Sequence, residues 1–378
     1  MNDERTIPCR PSGLPVCSIR VEILSGPNCG SNALVGGDYF TIGTAEGNDL
    51  VLVDPTVSRF HLSLERSGGR ILIRDHGSTN GTAIGPVLLK DQSAFVTLGT
   101  VLQLGETVLK LDDGGMVLVN LHGRDSLGGL RGRTTVMQRL MATIEQIATK
   151  EVPVLVTGES GTGKELVARA LHDVGLRANQ PLVTVDCGGL TQNLFCSELF
   201  GHERGAFTGA DRRHIGAFER AHRGTLFLDE IGDLPPALQV ALLGALERRQ
   251  IRRVGGHQDI PVDVRLVSAT HRDLRREVNA GTFRLDLYYR IAVVVLNVPP
   301  LAQRTADIPL LVEHFLRETG YQGEVEAVFP LSVMQELQAH LWPGNVRELR
   351  NVVEATIATG SKPQFDTPPI AWPATVRR

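Results

Sequence analysis

The segment GESGTGKE, residues 158–165, has the residue types and the spacing of a phosphate-binding loop. Its glycines let backbone N–H groups curl around phosphates, and the Lys164 ammonium can reach the β- and γ-phosphates. The segment follows the apolar run VPVLV and precedes a helical pattern, whose N-terminus adds a positive dipole. Glu165 stands where such loops usually have Ser or Thr. We therefore expect a nucleotide site made by Gly158, Glu159, Ser160, Gly161, Thr162, Gly163, Lys164 and Glu165.

Two acidic residues end the apolar run GTLFLDE, residues 224–230. Asp229 would hold the shell of a Mg²⁺ ion, and Glu230 would polarise the attacking water. Paired acids after a strand can instead cap a helix N-terminus, but the phosphate loop upstream favours the catalytic role. The two segments together predict an ATPase that uses ATP and Mg²⁺, with Asp229 as the metal-binding residue.

The segment GHERGAFTGADRR, residues 201–213, places one aromatic ring among small and flexible residues. Core packing seldom requires this arrangement, because glycines weaken helices and strands and leave the ring unsupported. A flexible loop with an aromatic tip instead suits contact with a partner. A glycine loop with an incidental ring is the alternative, and the partner-contact role of Gly205, Ala206, Phe207, Thr208, Gly209 and Ala210 is what the family resemblance described below implies.

The elements that must position these segments change in character near residue 112. Short alternating runs separated by turn residues predict a compact all-β sandwich over residues 16–112. A glycine-rich stretch predicts a linker at 113–133, and alternating strands and helices predict a parallel α/β ATPase core at 134–299. Residues 300–360 predict a helical lid, and residues 361–378 a proline-rich tail.

Composition excludes several protein classes. No stretch approaches the roughly 18 apolar residues of a membrane span, and the N-terminus lacks the apolar segment of a secretory signal. The 39 Lys and Arg residues against 42 Asp and Glu indicate no nucleic-acid binding from charge alone. An odd number of cysteines without metal-ligand spacing predicts reduced thiols in a cytoplasmic protein: Cys9, Cys17, Cys29, Cys187 and Cys196.

Five segments in one order carry a family resemblance: GESGTGKE, ELFGHERGAFTGA, GTLFLDE, FRLDLYYR and LWPGNVREL. Over residues 130–358 the chain resembles the AAA+ domain of bacterial enhancer-binding proteins, the activators of sigma-54 RNA polymerase. The resemblance implies an ATP-driven homo-oligomeric ring, a hexamer, whose GAFTGA loop grips sigma-54. The family also has a variant with glutamate in the phosphate loop, which matches Glu165.

The resemblance assigns further roles to arginines. Arg284 and Arg290, in FRLDLYYR, would be paired arginine fingers that reach the γ-phosphate in a neighbouring subunit, where a planar guanidinium stabilises spread negative charge. Arg347, in the lid, would sense the nucleotide. A surface salt bridge is the alternative role for either finger.

Two positions depart from the family pattern. His271 stands where the family often has a sensor asparagine, and a satisfied structural histidine is the alternative. Asp186 replaces an asparagine that links the catalytic glutamate to the state of the nucleotide. A second carboxylate near Glu230 would raise the like-charge cost there, but we still expect hydrolysis.

The N-terminal segments FTIGTAEGNDLVLVDPTVSRFHLSLE and IRDHGSTNGTAIG resemble a forkhead-associated (FHA) domain, which binds phosphothreonine peptides. His61 and Gly81 are expected to brace the loops. Thr44 follows Gly43 where the family usually has arginine, and the loss of a cation lowers affinity for phosphate. A docking sandwich that ignores phosphate therefore stays open. The resemblance places the phosphopeptide on Ser58, Arg59, Ser78, Thr79 and Asn80.

Two function classes remain open at this point. The favoured one is an ATP-driven transcription activator whose FHA domain receives a phosphothreonine signal, and the alternative is a non-catalytic scaffold with a nucleotide-gated assembly module. The 18 residues after Gly360 hold four prolines and leave no room for a helix-turn-helix. We therefore expect DNA contact only indirectly or through a domain missing from this chain, and activation without preference for an upstream sequence.

Overall fold

The computed structural model describes residues 13–36, 39–67, 70–188 and 192–363 of the 378-residue chain. Cys9 and most of the predicted tail, residues 364–378, lie outside these ranges. None of the helices described is long and apolar enough to cross a membrane.

The N-terminal region is an all-β sandwich, as predicted. Its strands alternate between apolar residues that face the core and exposed residues, as Leu102 and Leu104 show against exposed Val101 and Gln103. The strands are β1 (Gly13–Ser25), β2 (Asn32–Val35), β3 (Tyr39–Gly43), β4 (Leu50–Val51), β5 (Leu62–Ser67), β6 (Arg70–Asp75), β7 (Thr82–Ile84), β8 (Val87–Leu89), β9 (Ser93–Val96), β10 (Val101–Leu104) and β11 (Thr107–Asn120).

Two sheets enclose one apolar core. Their strand orders are β2-β1-β11-β10-β7-β8 and β4-β3-β5-β6-β9, and all pairs are antiparallel except β3 with β4. The pairing of β1 with β11 extends from Ser25–Val108 to Gly13–Asn120, past the boundary predicted at residue 112. The register shifts where Gly114 is left out of the pairing, so the DDGG run is a β-bulge in a continuing strand and not the start of a linker.

His61 is a buried polar residue of this sandwich. Its Nδ1 accepts a hydrogen bond from the Ser58 backbone N–H (3.1 Å), and its Nε2 lies 3.1 Å from the carbonyl oxygen of Gly81, which has φ +76°. Burial lowers the pKa of His61, although the Asp75 carboxylate opposes the shift. The role expected from the sequence, bracing two loops, agrees with these contacts.

This shift has a testable consequence for stability. Because the unfolded chain binds a proton at His61 more readily than the folded chain, we expect the free energy of unfolding to be highest above the ordinary histidine pKa of about 6.5 and to fall as the pH drops below it. Thermal unfolding measured between pH 8 and 5 tests this. A His61→Gln variant should show a shallower pH dependence, and equal slopes in the two proteins would contradict the assignment.

The stretch predicted as a linker is also ordered beyond Asn120. It forms a short hairpin of β12 (Ser126–Leu127) and β13 (Leu130–Arg131). Leu127 and Leu130 are buried in the apolar core of the following domain. Hydrophobic burial therefore attaches this hairpin to the ATPase core.

The central domain is the predicted α/β unit with a parallel sheet. Its five main strands lie in the order β15-β16-β19-β14-β20, and every neighbouring pair is parallel. All six residues of β19 are buried, as expected where helices cover both faces of a sheet. The elements are α1 (Thr135–Ala148), β14 (Val154–Thr157), α2 (Lys164–Asp173), β15 (Leu182–Asp186), α3 (Gln192–Phe200), α4 (Ala217–Arg220), β16 (Thr225–Asp229), α5 (Pro236–Arg248), β17 (Gln250–Ile251), β18 (Ile260–Pro261), β19 (Arg265–Thr270), α6 (Leu274–Ala280), α7 (Leu285–Ile291) and β20 (Val294–Asn297).

A helical lid follows, again as predicted. It consists of α8 (Ile308–Glu318), α9 (Val325–Val328), α10 (Leu331–Ala339) and α11 (Asn345–Thr359), which share one apolar core. Trp342 is 1% exposed in that core, and its Nε1–H donates to the Leu337 carbonyl oxygen (2.7 Å). A buried indole with its N–H satisfied is a packing residue.

The β-sandwich packs directly on helices α6 and α7. Ala45 and Phe60 of the sandwich belong to the apolar core of the ATPase domain, and the Phe60 ring meets the Tyr288 ring edge-on with centroids 4.9 Å apart. The Asn279 Nδ2 donates to the carbonyl oxygens of Phe60 (2.6 Å) and His76 (2.9 Å). The two domains therefore share both buried apolar contacts and hydrogen bonds.

Candidate active site

The phosphate loop connects β14 to α2 and is shaped by its glycines. Gly161 has φ +77°, which favours glycine, and a Cβ at this position would lie 2.4 Å from the Gly344 carbonyl oxygen. The Gly161 oxygen accepts hydrogen bonds from the backbone N–H groups of Val346 (3.0 Å) and Arg347 (3.3 Å). A side chain at residue 161 would thus push the lid away from the loop.

Lys164 lies at the first turn of α2 and is 7% exposed. Its ammonium donates to the carbonyl oxygens of Gly158 (3.0 Å) and Glu159 (3.3 Å) and lies 3.5 Å from Glu230 Oε1. The loop thereby holds a positive charge beside the catalytic carboxylate predicted from the sequence.

Asp229 and Glu230 lie where β16 ends, as expected for the carboxyl edge of a parallel sheet. Burial and the neighbouring Glu230 charge raise the pKa of Asp229, although its Oδ1 accepts the Glu230 N–H (3.0 Å). Glu230 has φ +49°, a conformation that costs free energy in a residue with a Cβ. The position of this carboxylate therefore comes with a conformational cost in the folded state.

His271, which follows β19, contacts the Glu230 carboxylate. Glu230 Oε2 accepts the His271 backbone N–H (3.1 Å) and lies 2.7 Å from its Nδ1. Burial alone would raise the pKa of Glu230, but the hydrogen bonds from His271 and the Lys164 charge lower it. The predicted sensor position is therefore in direct contact with the predicted base.

Asp186 lies beside Asp229 in the register of β15 and β16 but does not bond to Glu230. Its Oδ1 accepts the backbone N–H of Gly188 (2.8 Å), two residues further along its own chain. Its charge adds to the raised pKa of Asp229. The departure from the family asparagine therefore acts next to the site and not through a hydrogen bond to the predicted base.

The lid supplies the remaining contacts around the loop. Arg347 Nη1 donates to the Ser160 hydroxyl (3.0 Å). Together these groups enclose a cavity of about 340 Å³. Its lining comprises Gly129, Leu130, Arg131, Ser160, Gly161, Thr162, Gly163, Lys164, Glu165, Leu166, Asp229, Glu230, Arg304, Leu311, His314, Phe315, Val346, Arg347 and Arg350.

Two residues that sequence reasoning missed hold the loop from behind. Asn345 is fully buried with φ +54°, and its Nδ2 donates to Glu159 Oε2 (2.9 Å) and to the Ser160 carbonyl oxygen (3.1 Å). Arg304 is 3% exposed and donates to the Thr162 carbonyl oxygen (2.9 Å); burial lowers its pKa to about 10. The position of Asn345 inside WPGNVREL was a signal for it, whereas no pattern in the sequence marked Arg304.

The predicted arginine fingers lie away from this cavity. Arg284 precedes α7 and forms two bonds with the Asp286 carboxylate (3.0 and 2.6 Å), and Arg290 donates to the Leu246 carbonyl oxygen (3.0 Å). The Arg284 backbone N–H is held by Gln239 Oε1 (2.9 Å). Neither guanidinium lines the cavity of its own chain.

The GAFTGA loop lies between α3 and α4 and closes on itself. The Gly205 N–H donates to the Ala210 carbonyl oxygen (2.8 Å), and the Ala210 N–H donates to that of Phe207 (3.0 Å). The Phe207 ring meets the His202 ring edge-on at 4.9 Å, while Thr208 is exposed. Phe207 therefore has a contact within its own domain.

The segment that includes β17 and β18 lies beside this loop. The Val254 N–H donates to the Gly201 carbonyl oxygen (2.9 Å), and the Val254 carbonyl oxygen accepts the Glu203 N–H (3.0 Å). Arg253 pairs with Glu203 (2.6 Å) and Glu219 (2.5 Å). These bonds hold the base of the loop in place. None of them involves Phe207 or Thr208 at its tip.

The candidate phosphopeptide residues are not all accessible. The Thr79 N–H donates to the Ser58 hydroxyl (2.9 Å), which joins two exposed loops, and Arg59 and Asn80 are exposed. Ser78 is an exception to the prediction: it is 0% exposed, and its hydroxyl donates to Asp75 Oδ2 (2.6 Å). Its side chain braces the loop because the buried Asp75 carboxylate requires donors.

Comparisons with known families agree with this geometry in the second half of the chain. Residues 130–297 match the Sigma-54 interaction domain family, and residues 302–367 match the AAA+ ATPase lid domain family. Residues 22–115 match a family described as the cytoplasmic domain of the inner membrane component of T3SS. That description differs from the FHA resemblance drawn from the sequence, so the FHA assignment stays a prediction.

Curated relatives and solved structures are similar to this chain over about three fifths of its length. The transcriptional regulatory protein ZraR of Salmonella typhimurium is 53% identical over 230 residues, which are 61% of this chain and 52% of the relative. The DNA-binding transcriptional regulator NtrC of Azospirillum brasilense is 49% identical over 233 residues, 62% of this chain and 48% of the relative. The crystal structure of NtrX from Brucella abortus in complex with ATP matches with 42% identity and a TM-score of 0.56, covering 64% of this chain and 56% of that one.

The two matched ranges contain every residue that lines the cavity around the phosphate loop except Gly129. The chain spans about half the length of the curated relatives it matches. The family matches, the ATP-complexed structure and the cavity geometry agree on the class of domain. The matches at residues 130–297 and 302–367, together with the cavity, therefore support an ATPase activity for this part of the chain.

Proposed function

We propose that this protein hydrolyses ATP and uses the energy to remodel sigma-54 RNA polymerase through its GAFTGA loop. The observation that carries the proposal is the contact of Lys164 and His271 with the same carboxylate, Glu230, at the edge of a cavity closed by the lid. In this arrangement Lys164 neutralises phosphate charge, and Glu230 accepts a proton from the attacking water.

The residues around the cavity also suit Mg²⁺. This ion takes one or two carboxylates and completes its shell with water and phosphate oxygens. Asp229 supplies such a carboxylate at the end of β16, where burial and then the Glu230 charge raise its pKa, and a cation would offset the negative charge of this pair. Mg²⁺ would supply charge neutralisation at the phosphates, while Arg347 would bind ATP from the lid.

Hydrolysis would require neighbouring subunits. Arg284 and Arg290 do not line the cavity of their own chain, which suits fingers that act in a neighbouring subunit. We infer a homo-oligomeric ring, a hexamer, in which these guanidinium groups reach the γ-phosphate of the adjacent chain. The contacts of Arg284 with Asp286 and of Arg290 with Leu246 would have to open on assembly.

We propose that the β-sandwich binds a phosphothreonine protein through Ser58, Arg59, Thr79 and Asn80. Ser58 and Thr79 lie together on exposed loops and can donate hydrogen bonds to phosphate oxygens. Ser78 is left out because it is buried. A sandwich that docks a partner without regard to phosphate is the second candidate, and the match to a family other than FHA favours it.

ATP turnover and open-complex formation, measured on the same preparation, test the proposal. We expect phosphate release that rises with protein concentration as the ring assembles, and open complexes at a sigma-54 promoter that require hydrolysable ATP. A protein that binds ATP without releasing phosphate would support the scaffold function. Turnover without any open complexes would retain the ATPase and reject sigma-54 as its target.

The phosphothreonine assignment makes a separate prediction about Thr44. A Thr44→Arg variant should bind phosphothreonine peptides more tightly, by about 1.5–3 kcal/mol, because it adds a charged hydrogen bond to the phosphate. Titration of phosphorylated and unphosphorylated peptide libraries measures the change. Equal affinity for both forms, unaffected by Ser58→Ala or Arg59→Ala, would leave the docking sandwich as the function.

A further inference from the structure

A lysine outside the predicted binding residues lies at the loops that carry Ser58 and Thr79. The Lys90 ammonium, directly after β8, donates to the Thr79 carbonyl oxygen (2.9 Å), and the Thr79 N–H donates to the Ser58 hydroxyl (2.9 Å). Lys90 is exposed, and within the described ranges no carboxylate pairs with it. Its neighbour Asp91 pairs instead with Arg276 (2.5 Å).

We propose that Lys90 supplies the cation for a phosphate bound at Ser58 and Thr79. It would replace the arginine that FHA domains usually have at the position of Thr44. An ammonium with two spare N–H donors beside two hydroxyls forms a site for a phosphate monoester. Thr44 lies next to the same loop, since its backbone N–H donates to the Ser58 carbonyl oxygen (3.1 Å). The proposal rests on the phosphothreonine function and names the residue that would carry its charge.

The test compares Lys90→Gln with Lys110→Gln, the same chemical change on β11 of the same sheet, where Lys110 pairs with Asp112 (2.9 Å). With a phosphothreonine peptide, we expect Lys90→Gln to lose about tenfold in affinity and to show a weaker salt dependence. Lys110→Gln should bind like the parent, and Thr44→Arg should restore binding to Lys90→Gln.

The outcomes separate two failures. If the parent prefers the phosphorylated peptide but Lys90→Gln binds as tightly as Lys110→Gln, the Lys90 proposal is wrong and the phosphothreonine function stands. If the parent binds phosphorylated and unphosphorylated peptides equally, both are wrong.

Different contacts link the same two loops to the catalytic glutamate. The Asn279 side chain on α6 bonds to the backbone of Phe60 and of His76, and so holds both loops from behind. The His76 Nδ1 lies 2.5 Å from Asp273 Oδ2. Burial alone would raise the pKa of Asp273, but His76 and backbone N–H groups hold it at about 2.

Asp273 is also the N-cap residue of α6. Its Oδ1 accepts the N–H groups of Arg275 and Arg276 (3.1 Å each), which caps the helix. Two residues earlier in the chain, His271 binds Glu230 Oε2 through both its backbone N–H and its ring. A short and well-bonded turn thus connects the docked sandwich to the catalytic carboxylate.

We further propose that docking of the β-sandwich on α6 restrains ATP hydrolysis by holding His271 against Glu230. The two hydrogen bonds from His271 fix the orientation of the Glu230 carboxylate, which must reorganise before it takes a proton from water. Release of the sandwich loosens the turn at residues 271–273 and frees Glu230. A partner at Ser58 and Thr79, on the same loops, would shift this equilibrium by its preference for one arrangement.

The test uses one variant on each side of the interface, Asn279→Ala and Phe60→Ala, neither of which lines the nucleotide cavity. We expect kcat to rise about tenfold in both, within the usual range of coupling between sites, while the KM for ATP stays near the parent value. The matched control is Asn351→Ala, an exposed asparagine on α11. Its kcat should equal that of the parent.

The measurement can overturn the proposal in several ways. An unchanged or lower kcat in Phe60→Ala and Asn279→Ala, with the parental KM for ATP showing an intact site, would reject restraint by docking. Hydrogen exchange at residues 271–273 provides a second measurement, and unaltered protection in both variants would also reject it. A parent without ATP turnover would reject the proposed ATPase function itself, and this proposal with it.

Discussion

Glu230→Gln is expected to bind ATP with near-parental affinity and to release phosphate at least about a hundredfold more slowly. The substitution keeps the shape of the side chain but removes the group that accepts a proton, and general-base contributions are commonly of this size or larger. The substitution also removes the negative charge that lies 3.5 Å from the Lys164 ammonium. Binding of the negatively charged nucleotide to Lys164 should therefore not weaken. ATP titration and steady-state phosphate release measure the two quantities.

Two further variants show whether the effect belongs to the site. Lys164→Ala should lose nucleotide binding altogether, because the ammonium that faces the phosphates is gone. Glu247→Gln, the same change at an exposed position on α5, should retain both binding and turnover. Turnover at the parent rate in Glu230→Gln would show that another group is the base.

Phe207→Ala and Thr208→Ala are expected to retain most of the ATPase activity and to lose open-complex formation at a sigma-54 promoter. The loop is anchored at its base by Arg253 and Val254, so truncation at the tip should leave the nucleotide cavity intact. An aromatic contact at the centre of an interface is commonly worth 2 kcal/mol or more, which corresponds to about a thirtyfold loss. ATP turnover and promoter melting on the same preparations separate the two effects.

Phe95→Ala offers a matched control for the aromatic truncation. Phe95 lies on β9 of the sandwich and is 49% exposed, so its removal should leave both activities unchanged. Normal promoter melting by Phe207→Ala and Thr208→Ala together would show that the loop does not carry force to the polymerase. Loss of ATP turnover in either variant would instead indicate that the loop supports the catalytic site.

Local patterns in the sequence were sufficient for the phosphate loop, the acidic pair and the order of the domains. A strand, glycine loop and helix follow one another in the chain, so the residues of the loop at Gly158–Glu165 are contiguous and their pattern is visible without the tertiary contacts. The alternation of apolar and polar residues likewise marked strands of the sandwich, because the period of side chains follows from the backbone. The succession of strands and helices marked the parallel sheet.

Tertiary structure decided what local patterns could not express. From the sequence alone, the segment at Gly114 is typical of a turn. The structure shows a bulge there because the segment pairs with β1, which lies almost a hundred residues earlier in the chain. The burial of Ser78 depends on the Asp75 carboxylate, which needs donors inside the sandwich. Arg304 reaches the Thr162 carbonyl oxygen from a segment 142 residues away.

The sequence by itself therefore determined the chemistry of the ATP site, since the residues that carry this chemistry lie in short contiguous motifs. Only the tertiary structure decided that His271 holds Glu230, that Lys90 lies beside Thr79, and that Asn279 ties the sandwich to α6. These are contacts between side chains or carbonyl groups on separate elements. Their existence depends on how the layers pack, and packing is set by the summed burial of many residues and not by any one motif.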